Sequence, residues 1–164
     1  MNDNKLAIIV LLATVGLIGG GMLLAYKSSQ APQVSAVAGV SVMVNQDTHE
    51  WGEIPINGGN VSASFSIKND GSETLKLFNV STSCMCTTAQ LILGDVKSPE
   101  FGMHTRSASV FEVPPGETAT LEVVFDPDFH GPNGVGEVVR QVVAQTNDAS
   151  RSELDFSLTG TVIN

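Results

Sequence analysis

The sequence predicts an all-β fold, a two-sheet antiparallel β-sandwich of about seven strands, preceded by one N-terminal transmembrane helix. Three observations carry this. Apolar and polar residues alternate through several runs after residue 40, turn-forming residues punctuate those runs, and residues 6–26 contain no charged side chain. Alternation marks strands with one buried face, and many short strands between regular turns pack as two sheets.

The N-terminal run "LAIIVLLATVGLIGGGMLLAY" would be about 31 Å long as a helix, close to the hydrocarbon thickness of a bilayer. Lys5 and Lys27 bracket it, and Tyr26 stands at an interfacial position. It has no polar face, which disfavours a buried core helix. A cleaved signal peptide is the rival reading, but its apolar region is usually shorter and closely followed by a small-x-small site. Here Ala36-Val37-Ala38 lies too far along, and Pro32 spoils Ser29-Gln30-Ala31. The weak charge bias of Lys5 and the terminal amine over Lys27 places the N-terminus in the cytoplasm. The expected organisation is a short cytoplasmic tail (1–5), an anchor (6–26), a flexible stalk of small and polar residues (27–39) and one sandwich domain (40–164) outside the cytoplasm.

With Lys5, Lys27 and Asp3 set aside, six basic and sixteen acidic side chains remain, a net charge of −10. Such a surface excludes nucleic acid as a partner and is repelled by anionic lipid headgroups.

The expected strands are 41–54, 61–69, 74–82, 107–113, 118–125, 137–146 and 153–162. In "VSASFSIKN" Val61, Ala63, Phe65 and Ile67 share one face. In "TLEVVF" Leu121, Val123 and Phe125 do, and in "ELDFSLTGTV" Leu154, Phe156, Leu158 and Val162. Turns fall at "NDG" (69–71), "PPGE" (114–117), "GPNG" (131–134) and "TND" (146–148). About 25 residues separate the strand 74–82 from the next one expected, too long for a turn and, with "LIL" and "FGMH", too apolar for plain disorder.

The string "HEWGEIPINGG…FSIKNDGSETLKLFNVSTSCMCTT…VPPGETATLEVVFDP" resembles a bacterial domain-of-unknown-function family with a Cys-x-Cys-Thr motif. Trp51-Gly52, the Asn69–Gly71 turn, "CMCT" and the Pro-Gly-Glu before "VVFDP" fall in that family's order, across nearly all of 47–162. Met85, where the family commonly has Gly, and the long segment 87–113 depart from it. The resemblance implies an Ig-like antiparallel β-sandwich, related to the ASPM/SPD-2/Hydin domains, and implies little about activity. A bacterial setting also discounts Asn60 and Asn79 of the two "NVS" triplets as glycosylation acceptors.

Both cysteines of the chain, Cys84 and Cys86, lie in "SCMCTT". In an extended strand such residues point to one face roughly 6.6 Å apart. A disulfide needs Cβ atoms at about 3.5–4.5 Å, so the pair cannot bond without a sharp bend. Two readings stay open. The cysteines are small core residues, or they are soft ligands for Cu(I), completed by Met103, His104 or His130. Neighbouring strands 61–69/118–125 and 74–82/137–146 run antiparallel, which sends the cysteines and His130 to one pole. The stalk enters at the other, so that pole would face away from the membrane. His49 in "THEW" is expected near the stalk end and is set aside.

No Gly-rich phosphate loop, Gly-x-Ser-x-Gly elbow or His-Glu-x-x-His helix occurs. Asp126 and Asp128 around Pro127 are turn chemistry before they are a Ca²⁺ corner. A thiol–disulfide enzyme is disfavoured, because the nearby charges in sequence are mostly acidic. The expectation is therefore a non-enzymatic binding or structural module of the bacterial cell envelope. It would meet a protein partner at the membrane-distal pole through 84–88, 94–106 and 126–135, with a copper(I)-handling protein as the alternative.

Overall fold

A computed structural model describes residues 3–28, 34–105 and 109–164. The expectations for residues 1 and 2, for 29–33 of the stalk and for 106–108 of the long loop and of the strand expected at 107–113 fall outside these residues. So do those for the side chains of Lys5, Tyr26 and Lys27. The chain forms two units, Met1–Ala31 and Pro32–Asn164. In the first, Asp3–Ser28 is one helix, α1, and its described side chains, Ile9 and residues 11–22, are exposed. Among the described residues no helix is long and apolar enough to cross a membrane.

The second unit contains β1 (Val42–Val44), β2 (Thr48–Pro55), β3 (Val61–Asn69), β4 (Leu75–Thr82) and β5 (Thr87–Leu93). They are followed by β6 (Val96–Lys97), β7 (Phe111–Val113), β8 (Thr118–Phe125), β9 (Gly136–Thr146) and β10 (Glu153–Ile163). One sheet has the order β1-β3-β8-β5-β6, the other β2-β10-β9-β4-β7. The pairings β3–β8 and β4–β9 are antiparallel, and their separation into two sheets is the grouping of an Ig-type sandwich. Inward positions of β3 and β8, such as Phe65, Ile67, Leu121 and Val123, meet Leu77, Val142, Phe156 and Leu158 from the other sheet in one core. Phe65 and Phe156 pack across it at 4.9 Å.

Two expectations are corrected. The strand expected at 41–54 is two strands in different sheets, broken at the turn-forming "NQD" of 45–47. Its second half, β2, runs parallel to β10, so the sandwich is not antiparallel throughout. The long loop after β4 contains most of its missing sheet edge: β5 pairs with β8, β6 pairs with β5, and Phe101 bridges Ala89. Thr87, Ala89 and Leu91 are buried in alternation, the same period that marks the other strands. The strand expected at 107–113 is described only as the short edge strand β7, beside β4.

The chain enters this unit beside Asn147, whose carbonyl accepts the Val37 N–H at 2.9 Å. At this pole Asn69 is fully buried and donates from Nδ2 to Glu73 O and Val113 O, while its Oδ1 accepts the Gly71 N–H. Asp148 accepts the Val42 N–H at 2.8 Å and both the N–H and hydroxyl of Ser150. Burial pushes the Asp148 carboxyl up, but the hydrogen bonds from the Ser150 side chain and from the backbone of Val42, Ser150 and Arg151 outweigh it, so the carboxyl sits below its ordinary value.

Candidate functional site

At the opposite pole β4 hands the chain from one sheet to the other, and the residues that make the crossing are Ser83–Cys86. The Ser83 N–H donates to Gln141 O, and the Gln141 N–H returns a bond to Ser83 Oγ, so the turn starts tied to β9. The Thr87 N–H closes back on Cys84 O at 3.2 Å, and Thr82 Oγ1 lies 3.0 Å from both Cys84 O and Thr87 O. The turn ends tied to β8, where the Asp126 N–H donates to Cys86 O. The Cys-x-Cys segment is thus a corner and not the end of an extended strand.

That corner overturns the expectation of two thiols held apart. The Cα atoms of Cys84 and Cys86 stand 5.2 Å apart and the two sulfurs form a disulfide. Folding back the backbone at Met85 supplies the sharp bend that extended geometry lacks. Met85 itself points outward and is 59% exposed. The loop closed is so short that the bond restricts the unfolded chain little: the loop-closure model gives about 1.6 kcal/mol for it, against about 3 kcal/mol for fifteen residues.

The two sulfurs have different surroundings. Cys84 is half-buried, and its Sγ lies 3.6 Å from His130 Nε2 and accepts the Cys86 N–H at 3.2 Å. Cys86 is only 3% exposed and packs with Ile54, Ile56, Phe125, Val138 and Val162 in a second, smaller core. Its Sγ accepts a hydrogen bond from Arg140 Nε at 3.1 Å. The Arg140 guanidinium lies over the Phe125 ring, 5.0 Å from its centroid, and donates from Nη1 to Val139 O. Trp51 stacks on Phe125 at 5.4 Å, and its Nε1 donates to Ser62 O. Burial holds the Arg140 guanidinium below the usual arginine value. The nearby charges in sequence are mostly acidic, but in the fold one cation touches the buried sulfur.

Among the described residues, the ligand atoms of Cys84, Cys86 and His130 lie within 4.8 Å of one another. His130 precedes the short 3₁₀ turn Gly131–Gly134, makes no capping bond with its side chain, and stands edge-on to Phe129 at 5.1 Å. His104 is exposed on the loop after Phe101 and is not a member of that group; Met103 is 46% exposed. His49 is not at the stalk end. It pairs with Leu158 along β10 and meets Trp51 edge-on at 5.8 Å. Asp126 accepts the Asp128 N–H, the turn role expected of "DPD". Arg140 is the residue that sequence reasoning missed. A signal for it exists, because it shares the inward parity of Val138, Val142 and Ala144 in β9.

The fold is a two-sheet β-sandwich in which a disulfide-bonded corner joins one sheet to the other. The chain belongs to the family described as "Protein of unknown function (DUF1573)", which matches residues 42–162. A protein of unknown function from Porphyromonas gingivalis W83 is similar in structure, with a TM-score of 0.57 and 17% identity. The match covers 79% of this chain and 50% of that one, so the chain spans half the length of this relative. A PapD-like (ASH) domain of human CEP192 aligns with a TM-score of 0.48 and 12% identity, over 82% of this chain and 94% of that one. The periplasmic chaperone SfaE aligns with a TM-score of 0.42 and 10% identity, over 76% and 59%. No curated protein matches the sequence.

Proposed function

We propose that the chain is a non-enzymatic module of the bacterial cell envelope, anchored once in the membrane through residues 6–26, with residues 1–5 in the cytoplasm and the sandwich outside it. The observation that carries this reading is the Cys84–Cys86 disulfide, because such bonds persist in oxidising compartments and are rare in the cytosol. The uncharged run 6–26, within the helix Asp3–Ser28, supports the anchor. The surface offered to a protein partner is the disulfide pole, where Met85, Phe129, Val135 and Val139 are exposed apolar side chains on the corner, the turn after β8 and the start of β9. Protease added to intact spheroplasts tests the reading. It should digest the sandwich and leave a membrane fragment that resists alkaline carbonate. Full protection of the domain, or its release by carbonate, would sink it.

The group formed by Cys84, Cys86 and His130 favours a second reading, copper handling. A disulfide offers no thiolate, so Cu(I) would bind only the reduced chain, through both sulfurs and the His130 imidazole. Anaerobic titration of the reduced chain against a chromophoric chelator checks this. One-to-one binding lost in Cys84→Ser supports copper, and no competition with the chelator removes it.

A further inference from the structure

We infer that the Cys84–Cys86 disulfide is a thiol–disulfide exchange site whose partner is a protein presenting a pair of cysteine thiols. This adds a chemistry to the partner surface of the module reading and rests on that reading only for the compartment.

Four observations point the same way. The bond closes a very short loop, with one residue between the cysteines, so holding distant parts of the fold together is not its task. It lies in a surface turn, with Met85 turned outward and Cys84 half-buried, so an incoming thiolate can reach Cys84 Sγ while Cys86 Sγ is covered. The covered sulfur already faces a cation, Arg140 Nε at 3.1 Å. A neutral disulfide sulfur is a weak acceptor and gains little from a guanidinium, whereas a thiolate in the same place gains a charge-assisted hydrogen bond. The cation is fixed beforehand by its stacking on Phe125 and its bond to Val139 O, so no rearrangement is needed when charge appears.

The exchange balances without a further reagent. A partner thiolate attacks Cys84 Sγ and forms a mixed disulfide. The Cys84–Cys86 bond breaks with its electron pair on Cys86 Sγ, which becomes a thiolate against Arg140. The partner's second thiolate then attacks the partner sulfur of the mixed disulfide. The partner's disulfide forms, and Cys84 leaves as a thiolate beside His130 Nε2 and the Cys86 N–H. The chain's disulfide is reduced by two electrons, and the partner's dithiol is oxidised by two. One chain turns over one equivalent, and the reverse direction serves when the partner holds the stronger oxidant.

The test uses the full chain in detergent, equilibrated at graded ratios of reduced to oxidised glutathione, acid-quenched, alkylated and weighed. The disulfide is expected to open within the glutathione range. Arg140→Gln should shift the midpoint toward the disulfide by about tenfold, or about 30 mV, while Arg140→Lys recovers part of the shift. Reduced Cys86→Ser should trap one glutathione on Cys84 at least about tenfold faster than Cys84→Ser traps it on Cys86. The inference is overturned if the disulfide stays closed at every ratio, if Arg140→Gln leaves the midpoint unmoved, or if the two serine variants trap equally. The serine variants decide the matter if Arg140→Gln fails to fold. A closed disulfide in a chain whose sandwich is still digested from outside spheroplasts removes the exchange and leaves the envelope module standing.

Discussion

The two poles of the sandwich solve the same problem with different chemistry. Strands end at each, and each must satisfy backbone groups that no sheet partner reaches. At the entry pole the solution is neutral and carboxylate side chains that are themselves buried: Asn69 is fully buried with three hydrogen bonds, and Asp148 accepts from the backbone of Val42, Ser150 and Arg151 and from the Ser150 hydroxyl. At the disulfide pole the turn satisfies itself, through Thr82, Ser83 and the backbone of Cys84, Asp126 and Gln141, and so the side chains of Met85 and His130 take no part in holding strands, while the Cys84 sulfur accepts only the neighbouring Cys86 N–H from the backbone. Side chains that hold the fold have no freedom to do anything else. Those released from that duty stand where chemistry or a partner can reach them.

The comparison predicts that damage at the entry pole is paid in stability, and the largest effect belongs to Gly71. A Cβ there would meet Gly39 O at 2.3 Å and Ser41 N at 2.6 Å, both backbone atoms that cannot swing aside. Gly71→Ala should cost about 3–4 kcal/mol, read as a lower urea midpoint at unchanged slope. Asp148→Ala comes next, because it strands the buried Val42 N–H, with a loss of about 1–3 kcal/mol. Its pH dependence has a fixed sign. The folded carboxyl titrates below its ordinary value, so its contribution is present above the unfolded value, about 3.9, and disappears as pH falls through the lower folded one. Wild type should therefore lose stability below about pH 4 by more than Asp148→Ala does. Equal acid sensitivity of the two chains would show that Asp148 is not the group responsible.

Much of this pole was legible in the sequence, and less of the other. The alternation of β3, β8 and β10 is regular and long enough to identify each strand and its buried face, and "NDG" announces the turn that Gly71 makes possible. The β5 strand has equally regular alternation, but reading "SCMC" as the end of a strand consumed the residues that mark its start. The same step hid the disulfide, because residues i and i+2 stand too far apart to bond only while the chain stays extended. Arg140 was hidden for another reason. Which sulfur an inward side chain reaches depends on how β9 lies against the β4–β5 corner, and this register is a tertiary fact. What the sequence did offer was an arginine on the buried parity of β9, and a cation there calls for a partner.

A smaller effect tests the disulfide pole. Replacing both cysteines with Ala removes a bond that constrains little, so the loss should be about 1–2 kcal/mol, below that of Gly71→Ala. A larger loss, approaching that at the entry pole, would show that the corner holds the fold after all and would narrow the contrast between the poles.

The smallest effect on stability is the sharpest test of the contrast. Met85 is 59% exposed, and the backbone bonds of its turn do not involve its side chain. Met85→Ser should leave the urea midpoint within about 0.5 kcal/mol of wild type. It removes the exposed apolar side chain between the two cysteines, so binding of a partner docked on this pole should weaken, mostly through faster dissociation. Crosslinking in intact cells from a photoreactive residue placed at Val139 reads this directly, with and without the Met85 change. An adduct that forms equally in both chains would mean that the partner, if it uses β9, does not cover the corner, and the surface would have to be redrawn along the outer face of that strand.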